Sequence, residues 1–360
     1  MKSVLRRQRR SGLLRDRRSV SPVIGTILVM AIAMMGIMAI LFWGMPAINQ
    51  MRAQSQFDAV LRQFDLIDRG LGELRPGAAV TFFVSANSGS VEINSKGDRW
   101  VVSYCVKSGY DLIYSGLSDE DNSFTIKNNG TGPISNFKVS AQIIQTGRPT
   151  NLVVTGATSP LASGASATLS LKTASGADQP IKNIVLYVNV SSGTTQIGEF
   201  YLFDAGYISY SMDTDSGTYR IYEANGGTIA AYPSYNWIRN TPIIVPPRNV
   251  SGKTQLLLRI VQITGNGSAG GSGGLTTSVL LSRIGTADET SRLANKDVYK
   301  LRISVYGPTS ATWLSWLAAQ NYMDAAEAGS VRYTGAQNPN GSVELALYRT
   351  TFAAMITGVS

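Results

Sequence analysis

The chain has 360 residues, 44% of them hydrophobic, so it is long and apolar enough to bury a core larger than that of one average domain. It contains no histidine and a single cysteine, Cys105, which excludes histidine-based catalytic triads, imidazole metal sites, intrachain disulfides and thiolate clusters. The formal net charge of +9 is concentrated at one end, because residues 1–18 hold eight of the 32 Lys and Arg and one acid. The rest of the chain is nearly neutral, so no nucleic-acid partner is expected.

A long uncharged segment follows this basic leader. No charged residue occurs between Arg18 and Arg52, and Val23 to Ile48 is almost wholly apolar. A helix of that length reaches roughly 39 Å at about 1.5 Å per residue, enough to cross a hydrocarbon core of ~30 Å. The basic residues before it and the lack of a similar cluster after it predict a cytoplasmic N-terminus and an extracytoplasmic remainder. We therefore expect a single-pass membrane protein with lipid as a partner.

A cleaved secretory signal peptide is the rival interpretation, but its apolar region is typically 7 to 15 residues long. The residues that follow also favour a retained helix. Apolar side chains recur there at spacings of three and four, which predicts an amphipathic stem that ends at Arg75-Pro76-Gly77 and is bent at Gly44 or Pro46. These apolar positions are Phe57, Val60, Leu61, Phe64, Ile67, Leu71 and Leu74.

The junction of leader and helix resembles the N-terminal segment of archaeal type IV pilins and pilin-like proteins. The residues that carry the resemblance are Arg17, Arg18, Ser19, Val20, Pro22 and Gly25, within the run from Arg17 to Met30. The resemblance implies that a prepilin-peptidase-like enzyme cuts between Ser19 and Val20, and that copies of this chain or of related pilins assemble through the helix. Ile24 stands where bacterial pilins generally have glutamate, which is a departure from the bacterial pattern.

Beyond Pro76 the pattern changes to β-strands. β-Branched and aromatic runs separated by Gly, Asn and Ser predict a mainly antiparallel β head, so the fold class is α+β. The predicted strands are 79–84, 100–106, 137–144, 182–190, 255–263 and 298–306, and a short helix is predicted at 312–323. The predicted domains are a basic cytoplasmic leader (1–19), a transmembrane helix and stem (20–76), a first part of the head (77–118), a possible immunoglobulin-like β-sandwich (119–194) and the remainder of the head (195–360).

Three local features of the head can be interpreted from sequence. The segments 124–131 and 161–171 resemble paired strands of an immunoglobulin-like sandwich, and Cys105 lies in a strand-like run as a structural thiol. The glycine-rich stretch 265–274 predicts a flexible surface loop. Asp213 to Gly217 predicts a hairpin turn rather than a calcium loop.

Five Asn-x-Ser/Thr sequons are candidate glycosylation sites, at Asn129, Asn189, Asn249, Asn266 and Asn340. Six tyrosines between residues 207 and 235, together with Trp237, form either an aromatic adhesive face or part of the core and its strand pairs. No catalytic, metal-binding or cofactor motif stands out, so we do not expect an enzyme.

Two function classes remain open. The first is a pilin-like structural subunit, minor or adhesive, that reaches the cell surface or a pilus after processing. The second is a membrane-anchored extracytoplasmic binding protein that does not polymerise and uses the same helix as a tether.

Overall fold

The computed structural model describes residues 22–118, 121–144, 149–271, 274–292, 297–326, 329–333 and 342–359. Among these residues the helical elements are α1 (Pro22–Ala39), a π-helical turn (Ile40–Gly44), α2 (Met45–Glu73), a 3-10 turn (Glu289–Arg292) and α3 (Ser310–Ala318). The chain divides into two compact units, Met1–Ser55 and Gln56–Ser360. The domain boundaries predicted at residues 76, 118 and 194 stay predictions.

The second unit is built almost entirely of strands. In its first half the strands are β1 (Ala79–Ala86), β2 (Gly89–Cys105), β3 (Leu112–Ser115), β4 (Ser123–Asn128), β5 (Phe137–Ile143), β6 (Thr150–Thr155), β7 (Ser166–Lys172), β8 (Val185–Ser192), β9 (Thr195–Thr214) and β10 (Gly217–Ala224). In its second half they are β11 (Gly227–Tyr232), β12 (Tyr235–Ile238), β13 (Ile244–Val250), β14 (Lys253–Thr264), β15 (Asn266–Gly271), β16 (Leu275–Asp288), β17 (Asp297–Tyr306), β18 (Met323–Ala325), β19 (Ser330–Tyr333) and β20 (Val343–Val359).

Two long strands, β2 and β9, form the middle of this unit. They pair antiparallel along most of their length, with a bulge between Asn94 and Asp98. One half of the pair is flanked by β15 on one side and by β10, β11 and β12 on the other. The other half is flanked by β17, β19 and β18 on one side and by β8, β5 and β6 on the other. This central sheet is antiparallel throughout its described pairs.

Both faces of the central sheet are buried. On β2, Trp100, Val102 and Tyr104 enter one core, while Val101 and Cys105 enter a second core. Successive side chains of a strand point to opposite faces, so a strand with two buried faces is a near-continuous apolar run. Burial raises the pKa of the Cys105 thiol to about 12, which fits the predicted structural thiol.

An outer sheet covers each core. The first core lies against the sheet β1–β16–β20–β14–β13, in which only the β14–β20 pair is parallel among the described pairs. It also contains Trp313 and Leu317 of α3. The second core lies against the sheet β3–β4–β7–β6. The predicted α+β class, a long N-terminal helix followed by a mainly antiparallel β head, is therefore confirmed.

The predicted strands and turns agree with this architecture. Each of the six predicted strand segments overlaps an observed strand, and the predicted hairpin at residues 213–217 joins β9 to β10. The segments 124–131 and 161–171 contribute β4 and β7, which pair as predicted. The narrower prediction, that residues 119–194 form an immunoglobulin-like sandwich, stays a prediction.

The prediction of a flexible loop at residues 265–274 is wrong for its described part. Residues Asn266–Gly271 form β15, which pairs antiparallel with residues 89–94 of β2. The glycine content predicts a loop, but here the glycines allow β15 to approach β2 closely. A Cβ at Gly270 would lie 2.9 Å from the Cβ of Ser90. Residues 272 and 273 lie outside the described residues.

The short helix lies earlier than predicted. It spans Ser310–Ala318 instead of residues 312–323, because Met323 belongs to β18 and pairs with Tyr333 of β19. A strand partner ten residues further along the chain therefore takes the last residue of the predicted helix.

Candidate functional site

The apolar helix in the first unit exposes its side chains in every direction. From Val23 to Met51 all the large hydrophobic side chains are about half exposed or more, and Trp43 is 84% exposed. The helix from Val23 to Glu73 is, by length and composition, able to cross a membrane. A helix that is apolar all round is stable where lipid or other apolar helices cover it.

The predicted processing residues divide between described and undescribed parts of the chain. Arg17, Arg18, Ser19 and Val20 lie outside the described residues. Pro22 is the first residue of α1, a position where its fixed φ and missing N–H are tolerated. Gly25 lies one turn further on, and a Cβ built on Gly25 or on Gly36 would meet no atom within 4 Å.

The hydrogen-bond pattern of the helix changes where a bend was predicted. Residues Ile40–Gly44 form a π-helical turn directly before α2. Pro46 cannot donate to the carbonyl of Phe42, and its ring clashes with that group in a regular α-helix. A π-helical turn immediately before a proline accommodates both effects.

The stem, residues Gln56–Glu73 of α2, belongs to the second unit and is held there by its apolar face. Six of the seven predicted stem positions are buried, and Leu74, the seventh, is half-buried beyond the helix end. Phe57 packs edge-on against Tyr232 with ring centroids 5.0 Å apart, and tilted against Tyr219 at 5.3 Å. Gly70 permits a closer approach, since a Cβ there would lie 2.4 Å from the ring of Phe82.

Polar contacts fix the register and the end of the stem. Gln63 donates to the carbonyl of Ser85 at 3.1 Å and accepts from its N–H at 2.8 Å, so its amide pairs with the backbone of β1 as a strand would. Arg259 donates to the carbonyl of Leu71 at 3.1 Å, and Arg283 donates to the carbonyl of Leu74. These two cations satisfy carbonyls that the helix end leaves without partners.

Three carboxyl groups meet where the stem contacts the head. Asp65 and Asp68 come from the stem and Glu223 from β10. The negative charge of Asp65 is compensated, because the guanidinium of Arg239 lies 3.3 Å from its carboxylate and the amide of Asn240 donates to it at 3.3 Å. Glu223 is fully buried and accepts one hydrogen bond, from Thr228 at 2.7 Å, while its other oxygen has no partner in the described part of the chain.

Burial and mutual repulsion raise the pKa of two of these carboxyl groups. Loss of hydration raises the pKa of Asp68 to about 6, with a further upward contribution from the charge of Asp65 and an opposing one from Arg69. Loss of hydration also raises the pKa of Glu223 well above its ordinary value, and the charge of Asp68 adds to this. No group of three His, Cys, Asp or Glu among the described residues is arranged to hold a metal ion. The cluster is therefore a contact between stem and head whose charge changes with pH.

This cluster was not predicted from the sequence. Asp65 and Asp68 are three residues apart on the stem, at the margin of its apolar stripe, and this spacing indicates that the two carboxyl groups are neighbours. Glu223 gave no such signal, because its burial depends on the stem, which lies more than 150 residues earlier in the chain.

The sequons occupy different surroundings. Asn129, Asn249 and Asn266 are exposed, and Asn266 lies in β15 with its side-chain oxygen accepting from Ser95. Asn189 is half-buried within β8, and Asn340 lies outside the described residues. Whether any of them carries a glycan stays a prediction.

The aromatic cluster divides into core and surface. Tyr210, Tyr219 and Tyr222 are buried, which agrees with the core and strand-pairing interpretation for these residues. Tyr235 and Trp237 on β12 are 57% and 46% exposed. The core interpretation therefore applies to the buried members, and an adhesive role for the exposed ones stays a prediction.

We predict that the head becomes less stable as pH rises through the range in which these carboxyl groups ionise. A carboxyl group whose pKa is raised by folding stabilises the folded state below its unfolded pKa, 3.8 for Asp68, and this stabilisation is lost as pH rises through about 6. Asp68→Asn and Glu223→Gln should each raise the free energy of unfolding at pH 7.5 by about 1–2 kcal/mol. Each should also reduce the loss of stability between pH 4.5 and 7.5. Thermal unfolding of the full chain in detergent at pH 4.5 and 7.5 measures this. The exposed Asp215→Asn is the matched control, and an equal decline in all four proteins would contradict the prediction.

Comparison with known proteins assigns no family to this arrangement. No protein-family model, no curated protein and no solved structure matches the chain. The function has to be inferred from the two-part helix and the head that holds its stem.

Proposed function

We propose that this protein is a pilin-like structural subunit, minor or adhesive, of an archaeal type IV pilus-like filament. The observation that carries the proposal is the division of one 51-residue helix into two chemically different parts. Its N-terminal part is apolar and exposed on all sides, and its C-terminal part is amphipathic and buried by the head. Such a helix anchors the subunit in a membrane before assembly and packs against other copies after assembly.

The charge distribution supports the same orientation. Eight Lys and Arg precede the apolar segment, so the N-terminus stays in the cytoplasm and the head lies outside. A prepilin-peptidase-like enzyme cuts between Ser19 and Val20 and removes this basic leader. Without the leader, the apolar helix can leave the lipid and enter a filament core, because its side chains carry no charge before Arg52 and the only charge is the new α-amino group of Val20.

The alternative is a membrane-anchored binding protein that keeps its leader and does not polymerise. The same apolar helix serves as a tether in that case, and the size of the head, residues 77–360, favours display over dense packing. The two proposals differ in cleavage and in contact between helices, so each can be tested.

Processing is tested by the N-terminal residue of the mature protein, measured by mass spectrometry of membranes and of sheared surface material from the native host. We expect a start at Val20, and we expect Arg17→Ala/Arg18→Ala to slow cleavage. Arg6→Ala/Arg7→Ala removes the same charge from the leader away from the junction and is the matched control. An intact leader on the wild-type protein, found only in membranes, would favour the tethered alternative.

Assembly is tested at the two small positions of the apolar helix. Gly25 and Gly36 are eleven residues apart, which places them on one face, and a Cβ built on either would meet no atom within 4 Å in the described part of the chain. Gly25→Leu/Gly36→Leu should therefore leave the subunit folded and inserted, but reduce the yield of sheared filaments at least tenfold, because close helix approach is lost. Ala31→Leu adds a smaller amount of bulk on a different face and serves as the control. Equal yields from all these proteins would contradict packing through this face.

A further inference from the structure

A shallow groove of about 620 Å³ lies on the head between β12 and the outer face of α3. Asn236, Trp237 and Ile238 line it from β12, and Thr312, Ser315 and Trp316 line it from α3. Its volume lies within the range of small-molecule sites, roughly 300–1,000 Å³. Filament assembly through the N-terminal helix makes no use of this groove.

The aromatic part of the groove is held in place before any ligand arrives. The guanidinium of Arg239 lies over the ring of Trp237, 5.5 Å from its centroid, and Arg239 is itself paired with Asp65 at 3.3 Å. On the helix side, Trp316 packs edge-on against the fully buried Trp313 with ring centroids 6.4 Å apart. Fixed rings bind a partner without losing side-chain entropy.

The polar part of the groove is uncharged. Asn236 donates to the hydroxyl of Thr312 at 3.0 Å, which joins β12 to α3 across the groove. The hydroxyl of Ser315 and the indole N–H of Trp237 form no hydrogen bond to the part of the chain that the structure describes. None of the described lining side chains carries a charge.

We propose that this groove binds a neutral carbohydrate displayed on another surface. A hexose ring has one face of C–H groups, which packs against an indole ring, and an edge of hydroxyl groups, which bonds to amide, hydroxyl and indole N–H groups. An anionic ligand would need a cation, and Arg239, which lies over Trp237, already pairs with Asp65 and with that ring. The absence of charge in the lining therefore favours a neutral sugar. The inference deepens the adhesive part of the proposed function and rests on it for the exposure of the head outside the cell.

The test uses the full chain in a detergent without a sugar headgroup, because a glycoside detergent would compete. The protein is applied to an array of neutral oligosaccharides of glucose, galactose, mannose and N-acetylhexosamines, with sulfated and sialylated glycans alongside. The best neutral glycan is then titrated against the tryptophan fluorescence. We expect retention of neutral glycans, with binding weakened about tenfold or more by Trp237→Ala and by Ser315→Arg, which blocks the groove from an exposed helical position.

Phe83→Ala is the matched control, because Phe83 is an exposed aromatic residue, 67% accessible, on β1 and outside the groove. Unchanged binding by this variant supports the proposal. The proposal would be overturned if no neutral glycan is retained at millimolar concentration, or if only anionic glycans are retained. It would also be overturned if the Trp237 and Ser315 variants bind as well as the wild-type protein. These outcomes concern the head surface of the purified full chain. They are therefore distinct from failure of leader cleavage or of filament assembly in the host.

Discussion

A helix that is apolar on every side has to be covered by something other than water, and the rest of the molecule depends on this constraint. The apolar segment Val23–Ile48 carries no charge, and its large side chains are about half exposed or more. From Gln56, eight residues beyond Ile48, the same helix is amphipathic, and its apolar stripe is buried. We therefore propose that one helix has two environments, a membrane or other copies at its N-terminal part and a protein core at the stem.

The head is suited to holding that second part rigidly. Gln63 pairs with the backbone of β1, two arginines satisfy the carbonyls at the stem end, and Phe57 packs between two tyrosine rings. Asp68 and Glu223, whose pKa values are raised by burial, lie within the same contact. Since ionisation of either group places an unpaired charge beside Asp65, this contact is the part of the head most sensitive to pH.

Local patterns in the sequence were sufficient for the helix and for most strands. The stem positions followed from their three- and four-residue spacing, and the end at Arg75-Pro76-Gly77 followed from helix-breaking chemistry. Features that depend on distant partners could not be predicted. The glycine-rich residues of β15 form a strand because β2 offers a backbone edge, and Glu223 is buried because the stem covers it. The groove beside Trp237 likewise depends on α3, which is some 70 residues later in the chain.

The central claim, that the apolar segment is hidden from water while the stem surface is not, can be measured directly with single engineered cysteines. Cys105 is buried and its pKa is raised to about 12, so it contributes little background labelling. In intact cells or sheared filaments, Met34→Cys should resist a water-soluble maleimide until the protein is denatured, whereas Leu66→Cys, on the exposed side of the stem, should react before and after denaturation. Equal labelling of the two positions by the water-soluble reagent would contradict the account.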